Sequence, residues 1–448
     1  MSNVERKDSN PFNAYATLLT RPSYLAGALL LAYTLSQHSP KTPLIILYTP
    51  EPMSEPSINA LRAESKHSNT ILYPVDHLRL PTSDNDSDHG MVAERFIDTW
   101  TKLRVFEVLE VQGKKIDHLC FLDADMMVFK DPSPYIFTEE NSSYLAGGDA
   151  KRLCATHICV CNLDHDSWAP SSWVPPNCAH THVKGPDGIA EVKSEPETMG
   201  EMNTGTFAFR PSSELRSFVL GKFKSTAPQE LRKLKFPDQD FLNIVFQGRW
   251  KALSWRTNAL KTWRYWHPNM WRDDEVAVLH YIVDKPWAAR VDDSSGKKIA
   301  GYKGDDGETH SWWWNAFTKW SAERSFQNET ELLETAKRYV ASEDGGDNEE
   351  MRAVGGGAQD YAKKWHKQQA ENGSTKEERK DAQDQKESSQ RDGESNSQTK
   401  DSKTHDVNDE DSNSTGKQNF GNGPNGPILR KPMLGERGHG PVVRQRQF

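Results

Sequence analysis

The chain lacks any apolar run long enough to cross a bilayer. Its most apolar early stretch, residues 24–35, falls short of the ~20 residues a spanning helix needs and is interrupted by Gly27. The opening MSNVERKDSNPFNAYATLL lacks the charged, apolar and small-residue order of a secretory signal. A paired cysteine framework is missing too. Five cysteines, Cys120, Cys154, Cys159, Cys161 and Cys178, are an odd number and do not resemble the bridges of small secreted domains. These absences create the expectation of a soluble cytoplasmic protein with no membrane span. Excess positive charge is also lacking: a formal net charge of −8 leaves no broad basic face for phosphate neutralisation, so no nucleic-acid partner is expected. Large apolar side chains are scarce beyond about residue 341, where Gly, Ser, Asn, Gln, Asp, Glu and Lys dominate. Such a composition cannot offset the entropy of ordering, and residues 341–448 read as a disordered low-complexity tail.

The rest of the 448 residues holds most of the 35% hydrophobic content and alternates strand and helix patterns. Residues 14–19 read as a strand, followed by a helix to residue 37 with Ser23 placed to cap it. Residues 44–48 read as a second strand, 54–65 as a helix and 70–73 as a third strand. Leu103, Phe106 and Leu109 give residues 100–111 a helical spacing, and residues 118–122 form a buried strand behind them. Beyond a proline-, tryptophan- and cysteine-rich stretch at 138–201, longer than an ordinary connection, strands are expected at 204–209 and 276–281. Helices are expected at 238–246 and 312–324. This alternation predicts an α/β fold with a mainly parallel sheet, whose ligands bind beyond the carboxyl ends of the strands.

The strongest chemical signal is FLDADMMVF, where an apolar strand delivers Asp123 and Asp125 one residue apart. Alternation along extended chain puts both carboxylates on one side, where they can share a hard cation with diphosphate oxygens. Acidic residues after a strand also make Asx-turns and helix caps, so the pair needs support from elsewhere in the chain. His280, in AVLHYIVDKPW, ends another expected strand and offers a third ligand, although a lone histidine there also suits a structural role. Lys285 is a candidate partner for a diphosphate, or a solvated lysine.

Together these segments resemble glycosyltransferase family eight, in its glycogenin-like and galactinol-synthase-like branches. The resemblance runs in order through YATLLTRPSYLAGALLLAYTL, TWTKL, FLDADMMV, MNTGTFAFRPS, PDQDFLN, LHYIVDKPW and WWNAF. It implies a single GT-A type, Rossmann-like nucleotide-diphospho-sugar transferase domain over 10–340, with 138–201 as an insertion. The implied activity is retaining transfer of a hexose from a UDP-sugar to an unidentified acceptor, with Mn2+ or Mg2+ as cofactor. By the same resemblance Asp123, Asp125 and His280 are the metal ligands, and Ala124 lies between the carboxylates. Leu18, Thr20 and Tyr24 receive the uridine, while Lys102 approaches the sugar-phosphate. Asn203, Thr204 and Gly205 lie under the donor sugar, Asp238 and Gln239 beside the anomeric carbon, and Lys285 on the diphosphate. A homodimer is compatible with this reading.

Asp238 keeps several readings: it stabilises an oxocarbenium-like centre, attacks it, orients the sugar, or complements a helix dipole. Departures from the pattern are specific. His280 and Lys285 enclose only YIVD, one residue shorter than the glycine-containing loop of the family, and Arg21 and Pro22 replace smaller polar residues in the nucleotide turn. Cys154, Cys159, Cys161 and Cys178, with His157 and His180, could form a zinc site. The spacing is not a paired C-x-x-C pattern, so buried thiols in an aromatic loop are favoured. Trp168 and Trp173 offer an acceptor platform instead. Tyr265, in KTWRYWHPNMW, falls near a self-glucosylated position, but its surroundings suit a core or groove aromatic and a separate small acceptor. A catalytically silent carbohydrate- or partner-binding protein is the competing class, and a metal-dependent phosphoesterase a third.

Overall fold

The computed structural model describes residues 11–80, 98–166, 169–291 and 307–342. All of these lie in one compact unit, residues 1–378. The tail expected at 341–448 falls outside the described residues from 343 onward, as does Trp168.

Apart from a two-residue pair, Glu110–Val111 and Lys114–Lys115, the strands are β1 (Asn13–Leu19), β2 (Leu44–Tyr48), β3 (Thr70–Pro74), β4 (His118–Leu122), β5 (Met126–Val128), β6 (Leu153–His157), β7 (Met202–Phe209), β8 (Trp250–Ala252), β9 (Ala259–Leu260) and β10 (Val278–His280). The main helices are α1 (Leu25–His38), α2 (Glu55–Glu64), α3 (Glu139–Ala146), α4 (Ser213–Ser225), α5 (Pro237–Val245), α6 (Trp263–Trp266), α7 (Gly307–Phe326) and α8 (Thr330–Lys337). Seven strands make the central sheet in the order β8-β6-β7-β4-β1-β2-β3, and only β7 runs antiparallel to its neighbours. The sheet is therefore mainly parallel, as the strand and helix alternation implies. Every residue of β2, LIILY, is buried, as expected of a strand covered on both faces.

Two apolar cores sandwich the sheet. On one side α1, buried from Leu25 through Leu35, packs with the tryptophan-rich α7; Trp287, Trp313, Phe317 and Trp320 form a continuous run of ring contacts. On the other side Trp100, Phe106, Phe207, Phe209 and Phe241 pack together. Burying each such ring contributes about 1.5–3 kcal/mol, which makes these two layers the main source of stability. Local capping assists at the helix starts. Ser54, Thr138 and Ser212 each accept a backbone N–H of the first turn, an arrangement worth about 1 kcal/mol per helix.

Three local expectations change. Residues 99–107 form a 3-10 helix, because Trp100, Leu103 and Phe106 recur every three residues and are all buried; that period fits 3-10 better than α geometry. Ser23 is not the cap of α1. It lies inside a 3-10 turn, Pro22–Tyr24, where its carbonyl accepts from Trp287 Nε1 at 2.9 Å. The 138–201 stretch holds α3 and contributes β6, a buried LCATH segment, to the central sheet. Five residues carrying a threonine and a histidine gave too short and mixed a pattern to read as a strand. No helix among the described residues is long and apolar enough to cross a membrane.

Candidate functional site

Strand register brings the acidic pair to the imidazole. β4 ends opposite Thr206 of β7, and the next residue, Asp123, donates its N–H to Gly205 O at 2.9 Å. The chain turns through Asp125 into β5, which runs antiparallel to β10 with Met126 opposite His280. Tyr281 N then donates to Asp125 O at 3.0 Å. A carboxylate just before one strand and an imidazole at the end of its antiparallel partner must share one end of that pair. His280 Nε2 accordingly lies 3.2 Å from Asp125 Oδ1 and 3.9 Å from Asp123 Oδ2, and one ligand atom from each of the three residues falls within 4.8 Å of the others.

The imidazole is held by its other nitrogen. His280 Nδ1 lies 2.8 Å from Asn258 Oδ1, while Asn258 Nδ2 donates to Thr156 Oγ1 at 2.7 Å and to Asn203 Oδ1 at 2.8 Å. Two acceptors on the amide nitrogen fix the amide's orientation, so Asn258 Oδ1 must accept from a protonated Nδ1. The lone pair is thereby left on Nε2, facing the carboxylates. This is the tautomer a metal ligand needs. Gly205 closes the other side, since a Cβ there would meet His280 Cε1 at 2.5 Å.

Asn258 and Thr156 carry no motif, and only the short polar island RTN between Trp255 and Ala259 marks the former. Asn258→Ala is expected to weaken divalent-cation affinity about 10–100-fold. Titration with Mn2+ followed by electron paramagnetic resonance measures this directly; an unchanged affinity would mean the amide does not orient the ring.

Two lysines complete the charge pattern. Lys285 Nζ pairs with Asp125 Oδ2 and donates to Tyr281 O at 2.8 Å. Lys102 Nζ lies 2.9 Å from Asp123 Oδ1 and 2.7 Å from Asp238 Oδ2, bridging the acidic pair to the start of α5. Burial raises the carboxyl of Asp123 above its ordinary range, against the pull of Lys102. Burial acts the same way on Asp125, but Lys285 and His280 outweigh it and hold that carboxyl well below the usual range. Burial would lower the Lys102 ammonium, yet Asp123 and Asp238 raise it above its ordinary value. All these groups are largely shielded from water, so their charges act at strengthened range.

The remaining expected residues lie around this centre. Thr204 Oγ1 donates to Asp238 Oδ2 at 3.4 Å and Thr204 N to Gln239 Oε1 at 3.3 Å, while Gly205 N donates to Asn203 Oδ1 at 3.0 Å. The half-buried ring of Tyr24 lies 5.9 Å from Lys285 Nζ and packs edge-on against Trp287. Leu18 and Thr20 sit at the carboxyl end of β1, and the Ala124 carbonyl abuts Gly27 of α1, where any Cβ would clash. Between His280 and Lys285, Val283 takes φ +64°, a left-handed conformation costly for a β-branched residue. The short loop thus makes the turn without glycine. Arg21 pairs with the buried Asp98 at 2.9 Å. Tyr265 lies on α6 beside an open cavity of about 420 Å³ lined also by Arg264, Trp271, Arg272 and Asp273. Of the six residues considered for zinc, Cys154, His157 and His180 are not part of the thiol cluster the fold assembles, which gathers Cys159, Cys161, Cys178 and, from outside the insertion, His267.

A mainly parallel α/β sheet with this acidic, imidazole-bearing end belongs to the nucleotide-sugar-dependent glycosyltransferases of GT-A type. More narrowly, the chain is a member of glycosyl transferase family 8, whose model matches residues 17–290. Galactinol synthase 2 of Arabidopsis thaliana is 24% identical over 279 residues, covering 61% of this chain and 73% of that protein. Galactinol synthase 1 of Solanum lycopersicum is 23% identical over 282 residues, with the same coverage of 61% and 73%. Among solved structures, a galactosyltransferase, LgtC, in complex with donor and acceptor sugar analogs is 17% identical and covers 68% of this chain and 95% of its own, at a TM-score of 0.42.

Proposed function

We infer that the protein transfers a hexose from a UDP-sugar to a separate hydroxyl acceptor, with retention of anomeric configuration and with Mn2+ held by Asp123, Asp125 and His280. The observation that carries this reading is the convergence of those three side chains with Lys285 next to Asp125, beyond the strand ends. The donor set suits a hard or borderline divalent ion: two carboxylates and one imidazole whose free nitrogen faces them. When bound, such an ion supplies Lewis-acid neutralisation of the diphosphate. Lys285 adds positive charge where negative charge grows as the bond from the anomeric carbon to UDP breaks. Asp238 and Gln239, tied to Thr204 on β7, orient the sugar and face the positive charge that develops on it. Lys102 fixes Asp238 relative to Asp123 so that both faces of the reacting bond keep one geometry. Leu18, Thr20 and Tyr24 are the proposed seat of the uridine, and residues 10–340 the proposed catalytic domain.

The relatives named galactinol synthases favour a small acceptor over the protein's own Tyr265. Tyr265 as self-acceptor stays a second reading because its side chain borders the open cavity beside α6. A panel of UDP-sugars with and without Mn2+, read by UDP release and by intact mass, separates these. Mn2+-dependent UDP release from one donor, with no gain in protein mass, is expected. Hexose increments abolished by Tyr265→Phe would establish self-transfer. Binding without turnover of any donor would instead make the protein a silent carbohydrate or partner binder.

A further inference from the structure

Outside the donor site, the described residues hold one more concentration of metal-ligating atoms. Cys159 and Cys161 follow β6, Cys178 lies between the 3-10 turns Pro175–Asn177 and Ala179–His182, and His267 follows α6. Their side chains reach one point in the interior, with exposures of 8%, 3%, 0% and 1%. His267 Nε2 lies 3.4 Å from Cys159 Sγ, 3.4 Å from Cys161 Sγ and 3.8 Å from Cys178 Sγ, and Cys178 Sγ lies 3.9 Å from Cys159 Sγ. All three cysteines are free thiols. We propose that Cys159, Cys161, Cys178 and His267 bind a single structural Zn2+ in tetrahedral geometry.

The spacing argues for this over ordinary buried thiols. With Zn–S near 2.3 Å and Zn–N near 2.05 Å, a regular tetrahedron has edges of roughly 3.8 Å between sulfurs and roughly 3.6 Å between sulfur and nitrogen. Each separation given above lies within about 0.3 Å of those edges. The sulfurs are much too far apart for a disulfide, which needs about 2.05 Å. They are also too close together to enclose more than one metal atom. Three thiols and an imidazole offer the soft and borderline ligands that zinc takes in closed four-ligand sites, and all four side chains are buried. Thiols that merely fill space pack against apolar neighbours and have no reason to surround a common point with the imidazole of His267, 106 residues beyond Cys161.

The site has a physical purpose in the fold. Between β6 and β7 the chain runs through short 3-10 turns and prolines with no α-helix or strand among the described residues, so little backbone pairing ties it down. A metal cross-link would clamp that segment to the α6 region, supplementing Asn269 Nδ2, which donates to His180 O at 3.0 Å and to Val183 O at 2.6 Å. The same α6 region continues from β9 and Asn258, so the clamp would steady the backbone that carries the imidazole-orienting amide.

The test uses the full-length chain, purified without chelator from zinc-supplemented medium. Elemental analysis is expected to find about one zinc per chain, retained in Cys120→Ala and in Asp125→Asn, and reduced at least roughly tenfold in Cys178→Ser. Because Cys178→Ser could fail to fold, the unaltered chain gives an independent reading. After exchange with Co2+, it is expected to show thiolate-to-cobalt charge-transfer and tetrahedral d–d absorption. A zinc-free unaltered chain with a featureless Co2+ spectrum would overturn the proposal, and so would full zinc retention in folded Cys178→Ser. Loss of zinc in Asp125→Asn would assign the metal to the donor site and overturn it as well. None of these readouts depends on transferase activity.

Discussion

Replacing Asp125 with Asn is expected to lower kcat/KM for sugar transfer about a thousandfold while leaving a folded protein. Asp125 is the carboxylate closest to His280, at 3.2 Å, and it also pairs with Lys285. On the proposed reading, removing its charge weakens the cation's seat and unbalances the ammonium assigned to the leaving diphosphate. A loss of about 4 kcal/mol of transition-state stabilisation, typical of Lewis-acid and charge terms in a shielded site, corresponds to three orders of magnitude. Asn keeps the side-chain shape and one oxygen able to accept from Lys285, so the fold should persist, with a lowered melting temperature because a buried ammonium loses its counter-charge. Because Lys285 and His280 hold the Asp125 carboxyl well below the usual range against the effect of burial, it is ionised at every ordinary assay pH. The loss should therefore be the same at pH 6 and pH 8. A variant within tenfold of the parent at saturating Mn2+ would remove Asp125 from the metal site.

The largest expected effect on stability lies elsewhere. Glu64→Ala should destabilise the fold by about 3–5 kcal/mol, because it leaves a guanidinium buried without its counter-charge. Glu64 at the end of α2 is 1% exposed and Arg324 of α7 is 2% exposed. Arg324 donates to both carboxylate oxygens, at 2.7 and 2.6 Å, and Trp320 Nε1 donates to the same carboxylate at 2.8 Å. This two-pronged pair satisfies charges that would otherwise be expensive to bury. Urea unfolding measures the change, and a difference under 1 kcal/mol would show that the pair is dispensable. Replacing both residues with apolar ones of similar size should recover much of the loss, since the penalty comes from the orphaned charge and not from the absence of the pair.

Much of the proposed donor site is legible in the sequence because its residues sit in short, ordered blocks at strand ends. Asp123 and Asp125 follow an apolar strand, and His280 ends another; the fold joins them through β5 and β10, each only three residues long. Such short strands have no readable periodicity, so the pairing that creates the convergence is invisible before folding. Asn258 shows the same limit from the other side, being an asparagine with no motif whose role depends on contacts to residues 22, 55 and 102 positions away. The main sheet is legible wherever apolar runs are long, as in β1, β2 and β4, and illegible in β6, where LCATH mixes polar and apolar residues that are all buried. His267 cannot be joined to the cysteines by any spacing rule, because α6 is placed beside the insertion by tertiary packing alone.

Sequence likeness and structural integrity draw different borders on this chain. The family match stops at residue 290, yet Glu64, well inside it, receives its counter-charge from Arg324. Tyr339 accepts a hydrogen bond from Ser57 Oγ at 3.4 Å, and Ala341 N donates to Trp287 O at 2.8 Å. A fragment cut where the likeness ends would retain every side chain of the proposed donor site and yet lose Trp320, Arg324 and Tyr339, laying bare the faces of α1 and α2 that they cover. A self-sufficient piece must therefore run on through the closing helices to the contacts of Tyr339 and Ala341, which act as the lock on a domain whose proposed chemistry they never touch.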